Sequence, residues 1–279
     1  MHSHYSMPSR RTPLSPKTQL AALHRASVGG GLVTAKAASD ALGVSTSAAA
    51  GRLAALTRSG WLARVRRGVY LILPVEAASG EMTTASEPWT MASVLYHPCY
   101  IGGWSAAEHW GLTEQLFRST FVATTAHIRR RDEVHLGARF HLVRIKPERL
   151  HGLATVWRSS VRVRVSGAER TVIDAAINPA WIGGGRQLAA VLTAYAERPD
   201  ANQRNLVSEL ERHGTGAAAK RLGFLAEQLW PDASHFINKC RALKTQGLSK
   251  LDPLVESRGR LVTRWSLWAN VRIDEAARS

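Results

Sequence analysis

The side chains best equipped for chemistry between Ala35 and Leu73 are hydrogen-bond donors and cations. Lys36, Ser45, Thr46, Ser47, Arg52, Arg58, Arg64, Arg66 and Arg67 bring hydroxyls, guanidinium groups and one ammonium into a single short stretch. Guanidinium groups meet phosphates through paired N–H donors, and hydroxyls reach phosphates or base edges. That is binding chemistry for a nucleic-acid duplex. Two more basic groups follow in the chain. Arg129-Arg130-Arg131 reads equally as a phosphate-contacting patch and as a solvated loop. Arg162 and Arg164 alternate with Val161, Val163 and Val165, so a strand there shows its arginines on one face and its valines on the other.

The carboxylates invite a catalytic reading and do not sustain it. Glu169, Arg170 and Asp174 fit a capping box opened by Ser166, with an ion pair along the helix face. Asp132-Glu133 falls in a basic loop. Glu209, Glu211 and His213 fit a solvated helix face. A nuclease wants clustered acidic metal ligands, and a nucleotidyltransferase wants a Gly-Ser turn followed by spaced aspartates. Neither pattern is present, nor is a Walker A run. Cys99 and Cys240 match no CxxC or zinc spacing and suit a reducing cytoplasm without a disulfide. No catalytic, cofactor-binding or metal-ligating residue is assigned.

The elements that must position the basic side chains are legible. Thr34 can cap a short helix ending near Leu42, where Gly43 suits a left-handed stop. Ser45 caps the next helix. Ala49, Leu53 and Leu56 face inward, while Ser47, Gly51, Arg52 and Ala55 fall on the outer side. Gly60 ends that helix. Trp61-Leu62 starts a strand, Arg66-Arg67-Gly68 turns, and Val69 to Leu73 returns. Helix, tight turn, helix and basic hairpin together predict a winged helix-turn-helix. Ahead of it, Ser15-Pro16 opens a helix with Leu20 and Leu23 inside, stopped by Gly29-Gly30-Gly31.

Composition agrees with a polyanionic partner. The 279 residues carry 37 Lys and Arg against 21 Asp and Glu, a formal charge of +16. Apolar runs are too short to span a bilayer, and the N-terminus has no apolar signal core. The expected fold class is α+β: residues 1–14 a flexible basic arm, 15–75 a winged helix-turn-helix, 76–88 a linker, and 89–279 a larger mixed α/β domain. In that domain the patterns predict helices from Trp89 to Tyr96 and from Trp104 to Trp110, strands at Tyr100-Ile101 and from Ser119 to Thr125, Phe140 to Lys146 and Val161 to Val165, and helices starting near Gly185, Asn205, Thr215 and Ser234. A last strand is expected through Leu261 to Trp265.

The winged helix, followed in order by YIGGWSAAEHWGLTEQ (Tyr100 to Gln115), SGAERTVIDAAINPAWIGG (Ser166 to Gly184), AAKRLGFLAEQL (Ala218 to Leu229), LDP (Leu251 to Pro253) and RWSLWANV (Arg264 to Val271), resembles the AbiEi antitoxins. The resemblance covers nearly the whole chain after the N-terminal arm. It implies an antitoxin of a type IV toxin–antitoxin system that represses its own operon. The winged helix would bind inverted repeats of operator DNA, and the second domain would support repression and counteract a cognate nucleotidyltransferase toxin. The expected state is a cytoplasmic monomer that loads onto DNA repeats cooperatively. The matching blocks of the second domain read as structural: Gly102-Gly103 and Gly183-Gly184 for turns, Trp104 and Trp110 for core. Two alternatives stand beside this. One is a nucleic-acid-acting enzyme targeted by the winged helix. The other is a ligand-sensing transcription factor with tryptophans near Gly102 lining a pocket.

Overall fold

The computed structural model describes residues 15–28, 31–73, 87–158 and 161–273. The expected arm, and the expected linker up to residue 86, lie outside the described residues. The chain divides into two compact units between Glu87 and Pro88.

In the first unit, α1 (Pro16–Ala26) starts where Ser15 accepts a hydrogen bond from the Thr18 amide, with Pro16 in the first turn. Helices α2 (Ala35–Leu42) and α3 (Thr46–Arg58) follow, and β2 (Leu62–Arg66) and β3 (Val69–Ile72) form the hairpin. One strand has no signature in the sequence. β1 (Leu32–Thr34) pairs antiparallel with β3, giving the order β1-β3-β2. Three residues are too few to show a period. Trp61 stays outside β2, although its carbonyl accepts from the Leu73 amide at 3.0 Å. The core gathers Leu23, Val33, Ala38, Leu42, Ala49, Leu53, Leu56, Leu62 and Tyr70.

The second unit is built on a mixed six-stranded sheet ordered β6-β7-β5-β4-β9-β8. Its strands are β4 (Cys99–Ile101), β5 (Thr120–Thr124), β6 (Asp132–His135), β7 (Ala138–Arg144), β8 (Leu153–Arg158) and β9 (Val161–Ser166). The pairs β4–β9 and β5–β7 run parallel and the others antiparallel. Helix α4 (Pro88–Leu95) covers one face, where the Cys99 thiol donates to the Ala92 carbonyl. Pro88 therefore begins this helix rather than ending a linker. Tyr100, the alternate residue, turns to the other face and donates to Asp174 on α6 (Ala168–Ile177) at 3.0 Å. The short α5 (Gly103–His109) joins α6, α7 (Gly185–Ala196), α8 (Gln203–His213), α9 (Gly216–Leu229) and α10 (Ser234–Leu243). A small sheet of β10 (Ser249–Lys250), β11 (Arg260–Val262) and β12 (Leu267–Ala269) closes the unit. The fold is α+β, with a winged helix and a larger mixed α/β unit.

Several local expectations are corrected. Ser166 does not cap α6. It is the last residue of β9, its buried hydroxyl pairs with that of Thr171, and Gly167 takes the cap position. Glu169 instead accepts from the Tyr195 hydroxyl. Asp132-Glu133 lies in edge strand β6, not in a loop. The strand expected through Leu261 to Trp265 is β11 and stops at Val262, because Thr263–Trp265 forms a 3-10 turn that buries Trp265 completely, and a further strand, β12, follows. The two strands of the main sheet that the sequence patterns do not predict, β6 and β8, are edges. An edge needs no continuous apolar face, so its alternation is weak.

Candidate nucleic-acid interface

Local chemistry sets the angle between α2 and α3. Thr34 accepts from the Ala37 amide at 3.1 Å and starts α2. Gly43 ends it at φ 60, a left-handed conformation open to glycine without cost. The Ser39 hydroxyl donates to the Val44 carbonyl at 2.6 Å, and Ser45 accepts from the Ala48 amide at 3.2 Å to start α3. Ser45 is thus a helix cap first. The buried side of α3 is Ala49, Leu53 and Leu56. At 3.6 residues per turn the opposite side is Ser47, Gly51, Ala55 and Arg58, all exposed. Arg52 departs from its expected place. It is half-buried and lies on the flank of α3 next to the Leu56 side, so Arg58, the last residue of the helix, is the cation opposite its buried side. Lys36 on α2 and Thr46 at the start of α3 are exposed.

The hairpin presents Arg64, Arg66 and Arg67, all exposed. A bulge between Arg64 and Arg66 offsets the register against β3. Gly68 makes the turn at φ 78, and its carbonyl accepts from the Ala35 amide at 2.8 Å. The hairpin tip is therefore tied to the first residue of α2. β1 reinforces that tie, since it pairs with β3 and runs directly into α2. No sequence pattern signalled this anchor.

In the second unit Arg129, Arg130 and Arg131 lie exposed between β5 and β6, and Arg162 and Arg164 lie on the open face of β9. Val161, Val163 and Val165 are buried beneath, as the alternation required.

The acidic residues build structure. Asp174 is buried between Arg149 (2.8 Å), Arg170 (3.0 Å) and the Tyr100 hydroxyl. The Arg170–Asp174 pair is the helix-face ion pair expected, and it is buried. Arg170 also donates to the carbonyls of His151 and Arg149. His213 is buried and Glu209 half-buried, 3.3 Å apart, where a solvated face was expected. Burial first, then Arg170 and Arg149, push the His213 imidazole down to about 4. Asp252 accepts from the Gly185 amide at 2.8 Å and so caps α7. Gly184, at φ 114, leaves the room that this carboxylate needs. Arg221 donates to the Ala176 carbonyl and closes the C-terminus of α6. The tryptophans near Gly102 are packed: Trp104 stacks on Phe117 at 5.4 Å and meets Phe121 edge-on at 5.0 Å. Both cysteines are buried and free, and burial pushes the Cys99 thiol up to about 12. Among the described residues no cluster of His, Cys, Asp and Glu could hold a metal, and no helix is long and apolar enough to cross a membrane.

A capped helix with a small-residue outer face beside an arginine-bearing hairpin defines the unit as a winged helix-turn-helix. Residues 20–72 match the family described as transcriptional regulator, AbiEi antitoxin. The whole fold is similar to a crystal structure of the RV2827C protein from Mycobacterium tuberculosis. The TM-score is 0.58 at 18% identity, covering 93% of this chain and 92% of that chain. Comparison with curated proteins finds no match.

Proposed function

We propose that the protein is an antitoxin that represses its own operon by binding inverted repeats, and that it counteracts a cognate nucleotidyltransferase toxin. The observation that carries the DNA half is the outer face of α3. Ser47, Gly51 and Ala55 leave the backbone free to approach a groove, and Arg58 and Thr46 stand at its ends. Arg64, Arg66 and Arg67 lie where a wing follows the phosphate backbone. Arg129 to Arg131, Arg162 and Arg164 add cationic surface. The toxin half rests on the family of the winged helix. The reading describes a cytoplasmic protein, monomeric in solution, that loads cooperatively onto repeats.

The test is operator binding across a salt series, with scrambled duplex as control. Arg58→Ala is expected to cost ~1–3 kcal/mol on operator DNA and to relax sequence preference. Ser47→Glu places a carboxylate against the groove and is expected to abolish recognition. Half-buried Arg52 predicts a smaller effect for Arg52→Ala. Replacing Arg64, Arg66 and Arg67 together with Ala should weaken both duplexes alike. It should also flatten the log–log salt slope by ~0.9 for each phosphate that is no longer neutralised. Unchanged affinity in Arg58→Ala and Ser47→Glu would rule out this docking.

A further inference from the structure

The hairpin of β8 and β9 carries one feature that neither DNA repression nor packing uses, an exposed indole on its cationic face. Trp157 is 59% exposed. Its directly opposed partner on β9 is Arg162, whose guanidinium carbon lies 4.9 Å from the indole centroid. The next pair along the same open face is Thr155 and Arg164, and Arg164 donates to the Leu150 carbonyl at 2.9 Å. The opposite face of β9 is sealed by Val161, Val163 and Val165. β8 is the last strand of the sheet, so the face is open along its outer side. From Arg149 to Ala168 the chain contains no acidic residue, so no carboxylate in this stretch neutralises the arginines.

An exposed indole with a guanidinium over its ring, on a cationic sheet face, suits unpaired bases. Aromatic and guanidinium planes stack on bases whatever their identity, while the arginines meet the phosphates. A duplex buries its bases in the stack and offers such a ring nothing to lie on. Cellular DNA is mostly duplex, whereas RNA exposes loops and ends. We propose that the open face of the β8–β9 hairpin, centred on Trp157 with Arg162 and Arg164, is a second nucleic-acid site that binds unpaired RNA. It goes beyond operator recognition, in which the winged helix reads the duplex and Arg162 and Arg164 supply only charge.

The experiment titrates the full-length protein into fluorescein-labelled oligo(rU) and oligo(dT) of about 12 nucleotides, and in parallel into operator duplex. Trp157→Phe keeps an aromatic plane. Trp157→Leu keeps an apolar, strand-compatible side chain without one. Wild type and Trp157→Phe are expected to bind oligo(rU) alike, and at least as tightly as oligo(dT). Trp157→Leu is expected to bind it about five- to a hundredfold more weakly, the loss of one stacked base. Operator affinity should be the same for all three. Equal RNA affinity of wild type and Trp157→Leu, absent binding by wild type, or tighter binding of oligo(dT) each overturns the proposal. So does a wild-type self-association that Trp157→Leu dissolves while RNA affinity stays put. Failure of the wild type on operator duplex sinks the repressor reading instead and leaves the RNA comparison intact.

Discussion

His213 shows how far burial changes what a residue type means. It ends α8 beside Arg170, Arg149, Arg212 and His151, with Glu209 one turn back on its own helix. The ring is held neutral, with its pKa lowered from 6.5 to about 4. Between those values the unfolded chain binds more protons than the folded one, so stability falls as pH drops from about 6.5 towards about 4. Burial raises the Glu209 carboxyl, which acts in the opposite sense. His213→Gln removes the imidazole and is expected to flatten the loss of stability over that window. Urea unfolding of both proteins at neutral pH and at about pH 5 measures it. Parallel losses in the two would show that the imidazole is not the group responsible. The neighbouring Asp174 belongs to the same interior, where two guanidinium groups and a phenol offset the cost of burying its charge.

At the scale of elements, α9 is set by a close approach rather than by propensity. Gly223 is buried in that helix, and a Cβ there would run into the Trp265 ring, which is itself fully buried. Helix propensity alone makes Gly→Ala favourable by ~1 kcal/mol. Overpacking a tight core costs ~1–3 kcal/mol and acts the other way. Gly223→Ala is therefore expected to destabilise the protein, read as a lower urea midpoint. A raised midpoint would mean that helix and indole do not approach so closely. The same helix places Lys220 and Arg221 inside, where Arg221 donates to the carbonyls of Ala176 and Lys250. Lys220 donates to the loop carbonyls of Gln246 and Gly247, so both basic residues of the AAKRLGFLAEQL block hold backbone in place.

At the scale of the molecule, the division between Glu87 and Pro88 separates a unit of one small core from a unit built on a six-stranded sheet. Each has its own buried cluster. A fragment of residues 1–87 is expected to fold and bind operator DNA more weakly than the full chain. A fragment of residues 88–279 should fold but not distinguish operator from scrambled duplex. Circular dichroism and gel shift on the two fragments check this. Equal affinity and salt slope of the first fragment and the full chain would remove the second unit from duplex binding.

The winged helix is readable from sequence because its determinants are local. A threonine and a serine one step ahead of helices, a glycine at a left-handed stop, and three apolar residues at helical spacing act within a few residues of one another. The alternation of Val161, Val163 and Val165 with arginines is readable for the same reason. What the sequence leaves open depends on partners far along the chain. β1 exists because β3, nearly forty residues later, supplies its hydrogen bonds. Ser166 satisfies the pattern of a capping box, yet strand pairing with Leu153 outweighs a single cap bond. Arg52 falls beside Leu56 on a wheel centred on Ala49, Leu53 and Leu56, so spacing alone already favours Arg58 for the outer face, and the expectation misplaced Arg52. Glu209 and His213 read as a solvated face until tertiary folding set Arg149 and Arg170 beside them. Trp157 carried no signal at all, because its exposure is a property of the sheet edge on which it lies.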